Sequence, residues 1–436
     1  MSRIILLACC CALFSPALRA QKADTGISVD DVTKTEAFLS SDAMEGRKVF
    51  TPAIDRAADF IAGRFSAAGL QPFKGDSYFQ SFALLNVYPE QVQVTLNGTA
   101  VNPAQVAVQT SQTDIDWTSL DSVQVYVVDK DHSLIQAIFA FRKGNANYLV
   151  LVDSANVPRL GRYRQGLISH FPTTHSLLMI PYTAQPTALT VHIHTRTVSR
   201  PLKNVVGLLP GHGPKASEYV IFSAHYDHLG IGKPDIKGDS IFNGANDDAS
   251  GTTAVLTLAK YFAARHDNQR TLVFATFTAE EIGEYGSQYF ATQWVSASSG
   301  PQVEKVAAMF NIEMIGTTSK WGENSAYITG YDRTDFGKIL QKNLEGTGFQ
   351  FYPDPYTEQD LFYRSDNASL ARVGVPAHTI STSKMDNEPY YHKQGDEIGT
   401  LDMANMTRII RSIALSAAGI IQGTDTPSRV DASTLR

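Results

Sequence analysis

Past its eleventh residue the sequence contains no cysteine: Cys9, Cys10 and Cys11 are the whole complement. That removes thiolate metal ligands and intrachain disulfides from everything downstream. No stretch approaches the ~20 consecutive apolar residues that a membrane-spanning helix needs. An excess of positive charge is also missing, since 37 basic against 43 acidic residues give a formal charge of −6. The basic face of a nucleic-acid binder is therefore not expected. The serine-hydrolase elbow Gly-x-Ser-x-Gly and the zinc helix His-Glu-x-x-His are both absent, as are internal repeats and low-complexity tracts. What is there is an ordinary globular composition, 43% hydrophobic and 18% charged. At 436 residues it predicts two or three domains.

Residues 1–20 read as a secretion signal: Arg3, the apolar run Ile4 to Phe14, then Pro16 and a small residue at Ala20. The expectation is an exported protein, periplasmic or extracellular, whose mature form has no cysteine. Leu6-Leu7-Ala8-Cys9 loosely matches a lipoprotein box, but it leaves almost no apolar region ahead of it.

Residues 21–82 have helical character, with Asp30 and Asp31 available to cap a first helix and Ala53 to Gly69 apolar at helical spacing. Residues 83–199 change to short β-rich runs, such as Val123 to Val128 and Tyr148 to Val152, and read as an inserted small domain. Residues 200–425 alternate strand and helix: strands Asn204 to Leu209, Tyr219 to Ser223, Leu272 to Phe277, Val306 to Ile312, Tyr327 to Thr329 and Ala377 to Ile380. Helices are expected at Gly251 to Arg265, Glu284 to Trp294 and Thr400 to Ile421. Residues 426–436 form a tail. Near-continuously apolar strands alternating with helices predict an α/β fold, a mostly parallel or mixed sheet sandwiched by helices. Ligands bind beyond the carboxyl ends of such strands.

Five segments put an oxygen or nitrogen donor at that edge. Ser223-Ala224-His225-Tyr226-Asp227-His228 places His225 after a strand, with Asp227 near enough to hold its second ring nitrogen. Asn243 to Gly251 contains adjacent Asp247 and Asp248, which repel unless a cation or donors offset them; a helix cap is the competing reading. Thr278-Ala279-Glu280-Glu281 follows an apolar strand, and extended backbone points neighbouring side chains opposite ways. One carboxylate is then free to face a metal and the other substrate. Glu313 interrupts the apolar run Asn311 to Gly316, where a carboxylate is costly unless paired or coordinated. His392 lies in the polar loop Tyr390 to Asp396. Five such donors without sulfur suit two zinc ions, with manganese or cobalt as substitutes. A pair of ions lowers the pKa of a shared water and polarises a carbonyl, which is peptide-hydrolysis chemistry.

In this order the segments resemble the di-zinc exopeptidase family of bacterial leucyl aminopeptidases, aminopeptidase Y and glutamate carboxypeptidase. The likeness covers roughly Leu202 to Ile421, with a further match at Leu39 to Arg47. It implies that His225 and Glu313 hold one zinc, Glu281 and His392 the other, and that Asp247 bridges them. It also implies Glu280 as general base, Tyr391 as the oxyanion-stabilising phenol, Asp227 as the partner of His225 and a cis peptide at Asp247-Asp248. Glu313 stands where many relatives have Asp, and Asn367 where many have His, which bears on substrate contacts. The insert faintly resembles a protease-associated domain at Ala137 to Asp153, a lid or substrate filter at the cleft mouth.

The expected activity is aminopeptidase action on a peptide substrate. A carboxypeptidase or dipeptidase is the alternative and would need a cation for the substrate's terminal carboxylate; Arg364 is the candidate. Glutaminyl cyclisation, which relatives perform with one zinc, fits a five-donor set poorly, and a receptor-like member would have lost ligands or base. His192 and His194 share one strand face, but no nearby acid completes a site there. His170, His175 and His378 read as ordinary, and Asn97-Gly98-Thr99 is a chance-prone glycosylation sequon.

Overall fold

A computed structural model describes residues 26–129, 132–182, 185–298 and 300–435; the expected signal lies outside them. Helices α1 (Val29–Leu39) and α2 (Pro52–Ala67) come first. Ser28, not Asp30 or Asp31, caps α1 by accepting the Asp31 N–H; the two acids occupy its first turn, where the helix dipole favours them. The middle of the chain runs β1 (Phe79–Leu96), β2 (Ala107–Gln109), β3 (Val123–Val128), α3 (Leu134–Lys143), β4 (Asn147–Val152), α4 (Val157–Arg164), β5 (Leu177–Pro181) and β6 (Leu189–Leu209). Then come β7 (Tyr219–His225), α5 (Ser250–Arg265), β8 (Thr271–Phe277), α6 (Tyr285–Phe290), β9 (Val306–Ile312) and β10 (Ser325–Ile328). The chain finishes with α7 (Phe336–Asn343), β11 (Gln350–Pro353), α8 (Asn367–Ala371), β12 (Ala377–Ser381), α9 (Met403–Ser416) and α10 (Ala418–Gln422).

The main sheet has the order β11-β10-β12-β9-β7-β8-β6-β1. Its centre, β12-β9-β7-β8, is parallel. β6 joins β8 antiparallel, β1 joins β6 antiparallel, and β10 joins β12 antiparallel, so the sheet is mixed. The central strands are apolar on both faces because helices cover both. Val220, Phe222 and Ala224 of β7 pack with α1, α2, α5 and α9, whereas Ile221 packs with Phe290 of α6 and Leu370 of α8. Phe222 stacks on Phe274 at 5.6 Å and on Phe310 at 4.8 Å, locking three adjacent strands together. Each such buried ring stabilises the fold by about 1.5–3 kcal/mol.

Strands β1 and β6 run unbroken through residues 83 and 199. Their far ends form one wall of a second layered unit, against a four-stranded sheet in the order β2-β5-β4-β3. Helices α3 and α4 close its other face. The expected helix at Glu284 to Trp294 is shorter, because α6 opens into a wider turn over Ala291–Val295. The expected closing helix is two helices, divided at Ala417.

Candidate metal centre

The four parallel strands end at one edge, and each delivers a donor there. His225 is the last residue of β7, Glu280 and Glu281 follow β8, Glu313 follows β9, and His392 lies in the loop after β12. Asp247 stands at the entry to α5. Gly251 on that helix lets its backbone approach the end of β9, since a Cβ would collide with the Ile312 carbonyl and the Asp248 carboxylate. Three of the loops hold non-glycine residues at positive φ, namely Ala279, Met314 and His392. Such conformations cost energy and gather where function over-determines the backbone. The Asp247–Asp248 peptide is cis.

The adjacent acids are offset differently. Asp248 accepts the backbone N–H groups of His225, Gly251 and Met314 at 3.3, 2.9 and 3.1 Å, tying β7, α5 and β9 together. Asp247 instead faces imidazoles: its Oδ1 is 3.2 Å from His225 Nε2 and its Oδ2 3.3 Å from His392 Nε2. The loop itself is pinned by Asp396, which accepts the N–H of Asn246 at 2.7 Å and of Asp247 at 3.0 Å. From the other side the fully buried Arg47 donates to the carbonyls of Leu39, Tyr226, Asn243 and Gly244. One guanidinium thus straps the segment carrying His225 to the segment carrying Asp247.

Donor atoms of His225, Asp247 and Glu313 lie within 4.8 Å of one another, and so do those of His228, Asp247 and Glu281. His392 Nε2 is also 3.2 Å from Glu281 Oε2. All five expected ligands therefore meet. His228, three residues after His225, joins them; the sequence offers it only as part of that segment. Ser365 donates to Glu313. Asp227 stands beside His225, its Oδ1 3.9 Å from His225 Nδ1, and it also serves the next loop. Its carboxylate accepts the N–H of Glu280 at 3.1 Å and of Glu281 at 3.4 Å, and His225 Nδ1 bonds the Asp227 backbone carbonyl at 3.1 Å. Tyr391 stacks on the His392 ring with centroids 3.9 Å apart.

The charges show what the cluster demands. Burial pushes the Glu280 carboxyl well above its usual range, and neighbouring Glu313 and Glu281 push it further. Burial likewise raises Glu313, to about 7. Burial opposes charge on His225, yet Glu280, Asp247 and Asp248 hold its pKa well above the usual value. Burial is outweighed at His392 too, where Asp247 and Glu281 raise the imidazole to about 10. These acids call for positive charge at their centre.

The donor set fits divalent cations. His225 Nε2 is buried and has no hydrogen-bond partner, although Asp247 Oδ1 is near. The separations of 3.2 to 3.3 Å among His225, Asp247, Glu281 and His392 match a tetrahedron's edge. For zinc bonds of about 2.0–2.1 Å that edge is about 3.3–3.4 Å.

Arg364 lines a cavity beside this cluster together with Glu313, Met314, Tyr327, Met385 and Tyr391. Asn367 is buried, its amide donating to the Phe362 carbonyl and accepting from the Thr379 hydroxyl. The expectation for His192 and His194 needs correcting: acids are present, because the short strand Asp114–Trp117 pairs with β6. Each histidine bonds one aspartate at 2.7 Å, His192 to Asp116 and His194 to Asp114. Among the described residues they belong to no three-donor group. Nor is any described helix long and apolar enough to cross a membrane.

Several known proteins are similar. The chain is 29% identical over 214 residues to a probable leucine aminopeptidase of Arthroderma otae, covering 47% of this chain and 53% of that protein. It is 25% identical over 220 residues to leucine aminopeptidase 1 of Neurospora crassa, covering 48% and 51%. The matches thus span about half the length of these relatives. In fold it resembles an aminopeptidase from Aneurinibacillus sp. strain AM-1, with TM-score 0.54, 18% identity and 94% and 97% of the two chains covered. The zinc aminopeptidase BSAP of Bacillus subtilis has TM-score 0.54 at 16% identity, covering 93% and 98%. Residues 204–417, which carry every donor described above, match the model of peptidase family M28, and the chain belongs to that family.

Proposed function

We propose that this chain is a zinc-dependent aminopeptidase that hydrolyses N-terminal peptide bonds with two metal ions. The observation that carries the reading is the convergence on Asp247 of His225 and Glu313 on one side and of Glu281 and His392 on the other, with the Glu280 carboxyl in their electrostatic field. His225, Asp247 and Glu313 would hold one ion, and Asp247, Glu281 and His392 the other. Divalent cations there supply Lewis acidity and make water a stronger acid.

The protein's own groups do the rest. Glu280 accepts a proton from water and later returns it to the leaving amine; a carboxyl raised by burial is a better base than an exposed one. Asp227 positions this base through the Glu280 N–H. The Tyr391 phenol, kept protonated by burial, donates to the oxyanion. The layered unit within residues 83–199 would act as a substrate filter. Its Ser169 carbonyl accepts from the Tyr285 hydroxyl at 2.6 Å, on the helix that follows the Glu281 loop. The apolar run Ile4 to Phe14 supports an exported location.

A second reading, carboxypeptidase or dipeptidase, draws on Arg364 in the cavity beside Glu313. One assay separates the two. The stripped protein is tested before and after zinc return on aminoacyl, N-blocked C-terminally free and dipeptide substrates. The proposal expects zinc-dependent cleavage of aminoacyl substrates with a free amine. Cleavage confined to N-blocked, C-terminally free peptides favours the second reading, and zinc-independent turnover defeats both.

A further inference from the structure

Six side chains meet at the strand edge, but their separations are not alike. His225 and His392 stand 3.2 to 3.3 Å from the carboxylates they face, the spacing of two ligands on one ion. His228 Nδ1 is 2.6 Å from Glu281 Oε1, too close for a tetrahedral edge and right for a direct hydrogen bond. The same nitrogen lies 3.9 Å from Asp247 Oδ2. Glu281 is thus divided: Oε2 turns to His392 and Oε1 to His228.

The His228 ring is built in. It is 1% exposed, its backbone N–H donates to the Arg47 carbonyl at 3.3 Å, and the Gly244 backbone lies so close that a Cβ there would strike the ring. Nε2 is buried without a hydrogen-bond partner. A proton on Nδ1 finds the Glu281 carboxylate as its acceptor, whereas a proton on Nε2 would be buried unpaired and would leave the Nδ1 lone pair facing a carboxylate oxygen. The ring proton therefore belongs on Nδ1, where it is donated to Glu281.

We propose that His228 is a positioning residue for the second metal site, holding the Glu281 carboxylate by an Nδ1–H···Oε1 bond so that Oε2 alone faces the ion. The inference rests on the two-metal reading above. Such outer partners orient ligating carboxylates, and their loss typically costs about 10- to 100-fold in metal affinity.

The amide nitrogen of asparagine can take the place of Nδ1, and alanine offers no donor. Metal-stripped wild type, His228→Asn and His228→Ala are titrated with zinc against a chromophoric chelator. Cobalt(II) absorption reports the ligand field, and melts of the stripped proteins report folding. Wild type takes up two equivalents. His228→Ala weakens one of the two by about 10- to 100-fold and alters the cobalt spectrum, while His228→Asn recovers most of both. If Asn is as impaired as Ala in folded protein, His228 acts as a ligand or as packing and the proposal fails. It also fails if Ala binds both ions like wild type. A wild type that takes up fewer than two equivalents sinks the two-metal reading itself, and this inference with it.

Discussion

Histidines and aspartates cluster in two contrasting settings, at the edge of the main sheet and on the strand pair of the layered unit. In the first, His225 and Asp247 are 1% and 3% exposed and belong to segments that only tertiary packing brings together. In the second, His192 and His194 are 50% and 41% exposed and face Asp116 and Asp114 across one strand pair. The residue types are the same and the outcomes differ. On the exposed ladder each histidine finds a single acid at hydrogen-bond distance, and cross-strand spacing keeps the two pairs apart. At the sheet edge four strands and a helix converge, so each carboxylate meets more than one partner and the excess charge calls for a cation. Convergence under burial makes the site; sequence proximity does not.

The largest effect that tests this contrast is expected at Glu280. Glu280→Gln should keep its zinc, measured by elemental analysis, while turnover falls by about two to four orders of magnitude. Wild-type-like rates in that variant would remove Glu280 from the chemistry.

A smaller effect separates burial from convergence. Glu36 is fully buried but lies outside the donor cluster, its Oε2 accepting from the Thr253 hydroxyl at 2.8 Å. Burial raises its pKa to about 8, against an ordinary 4.5. Between those values the folded protein keeps a proton that the unfolded chain has released, so this group's contribution to stability falls as pH rises. Glu36→Gln should therefore flatten the decline of denaturation midpoint from pH 5 to pH 8. An unchanged slope would mean that the carboxyl ionises freely.

The smallest effect belongs to the ladder. A His192→Ala, His194→Ala double variant should leave zinc content, turnover and melting temperature within error of the parent, because exposed ion pairs contribute little. Loss of a zinc equivalent would erase the distinction between the two regions.

Much of the site was legible because each donor sits in a short segment at the end of an apolar run. Val306–Ile312 is a strand over the expected residues, and Glu313 is conspicuous as the first charge after it. The parts that were not legible act across long separations. Asp396 bonds backbone about 150 residues away in sequence, and the partners of Arg47 come from three segments. Neither spacing nor periodicity encodes such bonds. The acids facing His192 and His194 were missed for the same reason, since they lie some 80 residues earlier on a strand of four residues. Asp227 joins the two cases: close to His225 in sequence, it keeps an oxygen 3.9 Å from His225 Nδ1, while its carboxylate also accepts from the loop after β8, which sequence spacing does not encode.

By itself the sequence settled the chemistry of the donors: oxygen and nitrogen without sulfur, placed where parallel strands finish. Residue type and apolar periodicity carry that information locally. Only the tertiary structure decided which donors stand a ligand's distance apart and which share a proton, as with His392 and His228 around Glu281. A few tenths of an ångström separate those cases, and differences that small are set by packing between strands distant in the chain.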